Sequence, residues 1–151
     1  MKFALDRPLG KLAKWLRILG FDALYWRGDE GELLERARAE GRVLITKTRR
    51  LAEGAEGLKV LFLEEDNPFF QLRRVMEALG LKAESGRVFS RCLRCNTPLQ
   101  EVSPEEVQGE VPDYVFRTQE RFSRCPSCGK VFWPGSHYER MLELLRELEG
   151  R

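Results

Sequence analysis

The sequence predicts an α/β domain with a parallel sheet flanked by helices, followed by a small Cys₄ zinc ribbon that ends in a helix. Three observations lead there. Short apolar runs alternate with helical patterns four times between residues 2 and 79, joined by short connections, which is the order of a parallel sheet with right-handed crossovers. The only four cysteines form two C-x-x-C pairs, Cys92/Cys95 and Cys125/Cys128. Behind the second pair, Met141, Leu144, Leu145 and Leu148 repeat at i, i+3, i+4 and i+7, a terminal helix.

The elements follow in order. Lys2 to Leu5 is a strand stopped by the carboxylate of Asp6, and Arg7-Pro8 turns the chain. Leu9, Leu12, Trp15, Leu16 and Leu19 keep helical spacing up to Gly20, a residue suited to a helix end. Residues 21–26 form a second strand, and Leu33, Leu34 and Ala37 mark a helix ended by Gly41. Residues 42–46 are the clearest strand in the chain, and a short helical piece follows around residues 51–53. Residues 58–63 form the fourth strand. Asn67 then caps a helix with Pro68 in its first position, running through Leu79 to Gly80. This sets an α/β domain over 1–80, a linker over 81–87, and a ribbon with its helix over 88–151. In the ribbon, strand-like segments at 88–91 and 121–124 enter the two knuckles and residues 131–133 leave the second. Ser103 and Glu106 mark a helix start, residues 112–121 another helical turn, and Ser136 to Glu139 a capping box.

Composition narrows the function classes. The chain has 151 residues, 42% hydrophobic and 33% charged, the balance of a globular protein with one ordinary domain or two small ones. No apolar run approaches the roughly 20 residues that cross a bilayer, and Asp6 and Arg7 interrupt any signal-like start. The expectation is an intracellular, cytoplasmic protein, in which paired cysteines bind metal more often than they form disulfides. The net charge is +2, but residues 1–50 hold 12 Lys and Arg against 7 Asp and Glu, a surplus of +5, so the rest carries −3. A basic first half suits a polyanion such as RNA; it is also compatible with ordinary solvated surface.

Zinc favours four thiolates in a tetrahedron, and a two-residue gap brings both sulfurs of a knuckle onto one ion. The 29 residues between the pairs leave room for a ribbon, and Gly129 allows the tight turn after Cys128. A redox dithiol or an iron–sulfur cluster are the other readings. Four thiolates leave no open position, so such a zinc is structural. The one histidine, His137, is a candidate RNA contact or general acid, or a packing residue at the start of the last helix.

In parallel sheets ligands bind beyond the carboxyl ends of the strands. Those ends carry Asp6, Asp29 to Glu32, Lys47 to Arg50, and Glu64 to Asp66. Carboxylates converging there suit Mg²⁺ or Mn²⁺, which activates water and offsets phosphodiester charge. By position Asp6, Glu30 and Glu32 are the catalytic candidates, with Asp29 and Asp66 in reserve. Lys11, Lys14, Arg49 and Arg50 are candidates for substrate binding, and Arg17 extends the cationic stripe of the first helix. Glu30 and Glu32 also favour a helix dipole as first-turn acids, so their types alone leave a structural role open.

The residues carry a resemblance. Phe3-x-x-Asp6 followed by Leu9-Gly10-Lys11-Leu12-Ala13-Lys14-Trp15-Leu16-Arg17-x-Leu19-Gly20 resembles the opening of the PIN-like ribonuclease domain with a carboxy-terminal zinc ribbon, the Mut-seven carboxy-terminal domain family. The likeness continues through Glu32-Leu33-Leu34, Leu44-Ile45-Thr46, Gln71-Leu72-Arg73 and both knuckles, to Trp133-x-Gly135-Ser136-His137-x-x-Arg140-Met141. It implies a PIN-like fold and a metal-dependent ribonuclease, a hydrolase with Asp6 and the acids near Glu32 as ligands. One position departs. After the third strand the family pattern reads roughly Thr-Arg-Asp-Arg, and here stands Thr46-Lys47-Thr48-Arg49. Thr48 puts a neutral hydroxyl where a ligating carboxylate is expected, and cation affinity tracks ligand charge. Three functional readings follow: an endoribonuclease, its site weakened or rebuilt with Asp29 or Asp66; a non-catalytic RNA-binding module; and a zinc-stabilised adaptor that binds protein.

Overall fold

The computed structural model describes residues 1–82 and 88–149, without the side chains of 136–138, 144, 145, 148 and 149. Two compact units result, Met1–Arg17 with Phe21–Lys82, and Ile18–Gly20 with Ala83–Arg151. Among the described residues no helix is long and apolar enough to cross a membrane.

The first unit is a four-stranded parallel sheet of β1 (Lys2–Leu5), β2 (Asp22–Tyr25), β3 (Val43–Thr46) and β4 (Val60–Phe62), in the order β2-β1-β3-β4. The central strands are buried from both sides: Phe3, Ala4, Leu5, Leu44 and Ile45 expose nothing, which is why they read as unbroken apolar runs. Register pairs Ala4 with Leu44 and Leu5 with Ile45. Ala4 and Leu44 face Leu33 and Ala37 of α2 (Glu30–Glu40) and Leu51 of α3 (Arg49–Glu53). The other helices, α1 (Gly10–Ile18) and α4 (Pro68–Leu79), meet through the rings of Trp15 and Phe69. Gly41 and Gly80 close α2 and α4 with φ of 66° and 64°, a left-handed turn that glycine adopts without steric cost.

Charge ties the amino ends of the strands. The buried Arg42 donates to Asp22 Oδ1 at 2.6 Å, to Glu40 Oε1 at 2.7 Å and to the carbonyl of Phe3 at 3.1 Å. Arg17 is buried as well and donates to the carbonyl of Ala23 at 2.9 Å. The expected cationic stripe of α1 is thus reduced to Lys11 and Lys14, because the helix turns Arg17 towards the sheet.

The second unit holds an antiparallel sheet of β5 (Gln100–Val102), β6 (Phe122–Arg124) and β7 (Val131–Phe132), in that order. Val107, Val111, Val115 and Phe122 form its apolar core, with Trp133 against it; Val115 comes from α5 (Asp113–Thr118). The segment expected as a strand at 88–91 is a turn, and only Arg91 makes a bridge, to Pro98. The knuckle folds the chain back on itself there, with Leu99 N–H donating to Ser90 at 2.8 Å, so the pairing edge comes after the knuckle, at β5. The start marked by Ser103 and Glu106 is one 3₁₀ turn over Pro104–Val107, with Glu106 accepting from the Ser103 amide at 2.8 Å. The last helix, α6, spans Ser136–Glu149 and buries Met141. The side chains of Ser136, His137, Leu144, Leu145 and Leu148 lie outside the described residues, as do linker residues 83–87.

Candidate active cleft and metal centre

Strand order reverses between β1 and β3, and Asp6 directly follows β1 there. Asp6 is 5% exposed and follows Ala4 on the α2 and α3 face of the sheet. Thr46, two residues after Leu44, projects to the same face, as the period of a strand requires. Its hydroxyl donates to Asp6 Oδ2 at 3.0 Å, and so does that of Thr48 at 2.9 Å. The amide of Thr48 donates in turn to Thr46 Oγ1 at 2.9 Å, which directs the Thr46 proton onto Asp6. One carboxylate oxygen of Asp6 is therefore saturated. The other, Oδ1, is buried without a hydrogen-bond partner.

Asp6 lines a cleft of about 320 Å³ with Arg7, Trp26, Arg27, Glu30, Thr48 and Arg50 among its walls. Glu30 stands in the first turn of α2. Its Oε1 accepts from Arg50 at 3.0 Å, while Oε2 is buried with no partner. A buried carboxylate oxygen without a donor is costly, and two on the walls of one cleft are the feature a divalent cation would satisfy. Asp6 and Glu30 are thus the sequence candidates that the fold brings to one cleft, and Thr48 and Arg50 line it with them.

The remaining candidates stand elsewhere. Glu32 is exposed and does not line the cleft. Asp29 caps α2, its Oδ2 accepting the Glu32 amide at 3.1 Å. Asp66 pairs with Lys47, whose ammonium holds the Asp66 carboxyl below the ordinary carboxylate range. Arg49 stacks over the ring of Phe62 at 4.9 Å, and Lys11 and Lys14 are exposed on α1. Sequence reasoning missed Arg7, Trp26 and Arg27 as cleft walls. Arg7 follows Asp6 directly, and Trp26 and Arg27 come just after β2, so the rule of strand carboxyl ends contained the signal. Trp26 is fixed by its indole N–H on the carbonyl of Asp29 at 2.9 Å and by Arg36 over its ring at 5.3 Å.

In the second unit the ligand atoms of Cys92, Cys95, Cys125 and Cys128 all lie within 4.8 Å of one another. The Sγ atoms of Cys92 and Cys128 are 3.8 Å apart, matching the separation of roughly 3.8 Å that Zn–S bonds of about 2.3 Å give in a tetrahedron. The two knuckles repeat one hydrogen-bond plan. Cys92 and Cys125 accept through their carbonyls from Asn96 and Gly129 at 2.9 and 2.8 Å, and donate through their amides to Thr97 and Lys130, both at 2.9 Å. Asn96 and Gly129 both have positive φ, 64° and 77°. Asparagine tolerates that conformation, so Asn96 does in the first knuckle what glycine does in the second. As bare thiols Cys92, Cys95 and Cys125 compete for charge. Cys95 is pushed up to about 12, by its hydrogen bond to Cys128 first and then by burial. Burial also acts to raise Cys125, but the amides of Cys128 and Ser127 aimed at its sulfur bring it down to about 7. A cation at the centre removes that competition, and the four cysteines are positioned to hold a zinc ion.

Comparison with known proteins gives one finding. The family model described as the Mut7-C RNAse domain matches residues 1–145. No curated protein and no solved structure matches the chain. The match runs through the Asp6 cleft and both cysteine knuckles, and the chain belongs to the Mut7-C RNAse domain family.

Proposed function

We propose that the chain hydrolyses RNA phosphodiester bonds at the Asp6–Glu30 cleft, with Mg²⁺ or Mn²⁺ as its cofactor. The observation that carries this reading is the pair of buried, partnerless carboxylate oxygens, Asp6 Oδ1 and Glu30 Oε2, on walls shared with Arg7, Arg27 and Arg50. When bound, such a cation activates a water and offsets phosphodiester charge. The chain's own residues do the rest. Thr46 and Thr48 hold the Asp6 carboxylate in one orientation, which leaves Oδ1 for a ligand. Arg50 offsets Glu30, and together with Arg7 and Arg27 it presents guanidinium groups whose fork matches a phosphate. The ribbon, in this reading, is an accessory unit held by structural zinc. The test is cleavage of a single-stranded RNA with added Mn²⁺. Asp6→Asn and Glu30→Gln are each expected to lower the rate roughly 100-fold or more at unchanged zinc content. Full activity in Asp6→Asn would overturn the proposal.

The Thr48 hydroxyl on Asp6 Oδ2 favours a second reading, RNA binding without cleavage, because a neutral donor stands where a third carboxylate would add charge. Salt-dependent RNA binding with no cleavage under Mg²⁺ or Mn²⁺ would decide for it.

A further inference from the structure

We infer that Trp15, Phe69 and Phe70, with the cations Lys11, Lys14 and Arg74, form a second contact surface for single-stranded RNA, outside the cleft. This inference rests on the RNA reading above and names where else the strand is held.

The three rings touch edge to face in sequence, Trp15 to Phe69 at 6.3 Å and Phe69 to Phe70 at 5.8 Å. The core contribution of α4 comes from Leu72, Val75 and Met76, which are buried. Phe70 stands off that stripe and is 50% exposed. A single exposed aromatic needs no explanation; an exposed ring continuing a row that links two helices is a surface with faces available to stack. Three cations stand beside the row. Lys11 precedes Trp15 by four residues and Arg74 follows Phe70 by four, the spacing that places side chains on one helix face, and Lys14 adjoins Trp15. All three cations are exposed, and among the described residues no hydrogen bond or ion pair engages them. The acids nearest along the chain are engaged, Asp66 by Lys47 and Glu77 by Arg73. Stacking rings interleaved with free cations are how proteins hold single-stranded nucleic acid without reading its sequence.

Topology puts the starts of these two helices at the edge of the sheet that carries Asp6. In a parallel sheet each helix starts at the carboxyl end of the strand before it. Lys11 lies in the first turn of α1, just after β1, and Phe69 and Phe70 lie in the first turn of α4, after β4. They therefore share the carboxyl edge of the sheet with Asp6, while the cleft opens on the α2 and α3 side.

The experiment measures binding of a labelled oligouridylate to the full chain in buffer without added divalent ions, over a salt series, with a duplex RNA of the same length beside it. Phe70→Ala is expected to weaken oligouridylate binding roughly tenfold with the salt slope unchanged, and to leave duplex binding alone. The Lys11→Gln/Lys14→Gln pair is expected to weaken binding and to reduce the slope by about 0.7 per lysine. The three substituted positions are all exposed, and zinc content and thermal unfolding check the fold. If the wild-type chain binds oligouridylate and both variants bind equally well, this surface is not an RNA contact, and the cleft reading stands. If the wild-type chain binds no RNA, the RNA reading fails and this inference fails with it. A dimer of the wild type that Phe70→Ala disperses, with RNA binding intact, would assign the rings to a protein interface and overturn the proposal.

Discussion

The hydroxyl of Thr48 donates to Oδ2 of Asp6 over 2.9 Å, across 42 residues of sequence. With Thr46 on the same oxygen, Asp6 is clamped by two neutral donors at the strand-order reversal. Thr48→Asp replaces one donor by a second carboxylate. Under the proposed function it is expected to tighten Mn²⁺ binding by about 10- to 100-fold and to raise cleavage at limiting Mn²⁺, read by titrating the metal in the RNA assay. Thr48→Val takes the donor away without adding charge. It is expected to cost about 2 kcal/mol in urea unfolding.

At the opposite end of the sheet, Arg42 joins Asp22, Glu40 and Phe3. Its hydrogen bond is the main reason that the Glu40 carboxyl sits below its ordinary value of 4.5. A lowered carboxylate contributes stability that is complete above the unfolded value and is lost as pH falls through the folded one. The urea midpoint should therefore drop as pH falls below about 4.5, and Glu40→Gln should flatten that part of the profile. Arg42→Met removes the buried cation that Asp22 and Glu40 share, while Glu40 keeps its pair with Arg36. Asp22 and Glu40 keep some solvent contact, so a loss near the low end of the range for broken buried pairs, about 3 kcal/mol, is expected.

The knuckles make a third prediction. The purified chain should carry one zinc ion, measured by elemental analysis. Cys125→Ser removes a buried ligand and should abolish stoichiometric zinc. Structural zinc contributes on the order of 10 kcal/mol to small domains, more than the short sheet β5-β6-β7 and its four-residue buried core can replace. Loss of near-ultraviolet dichroism from Trp133, packed on that core, would report the collapse. A Cys125→Ser chain with intact dichroism and no zinc would show that the ion is not what holds this unit.

Sequence periodicity carried much of the fold. The four apolar runs became β1 to β4, and α2 and α4 end at Gly41 and Gly80 as their positions suggested. Strand β5 escaped because three residues, two of them exposed, carry no apolar signature; they pair only because the first knuckle turns the chain into line with β6. The left-handed turn of the first knuckle escaped for a related reason, since Asn96 is also an ordinary loop residue and only the backbone shows its φ.

The site divides in the same way. Two C-x-x-C pairs name four ligands, because the two-residue gap within each pair already sets the distance between sulfurs. Asp6 could be singled out because it ends an apolar strand, a local fact. Which acids join it was not local. Asp29, Glu30 and Glu32 occupy one helical start, where residues two apart point different ways, and only the packing of α2 on the sheet brings Glu30 to the cleft, leaves Glu32 exposed and keeps Asp29 as a cap. The sequence by itself determined the strands β1 to β4, the helices that end at Gly41 and Gly80, and the four clustered cysteines, since these follow from periodicity and short covalent spacing. The tertiary structure alone decided the hydroxyl clamp on Asp6, the partnerless oxygens of Asp6 and Glu30, and the aromatic row on α1 and α4. Each of these joins atoms from segments far apart in the chain, and their meeting depends on register and helix packing that no local pattern records.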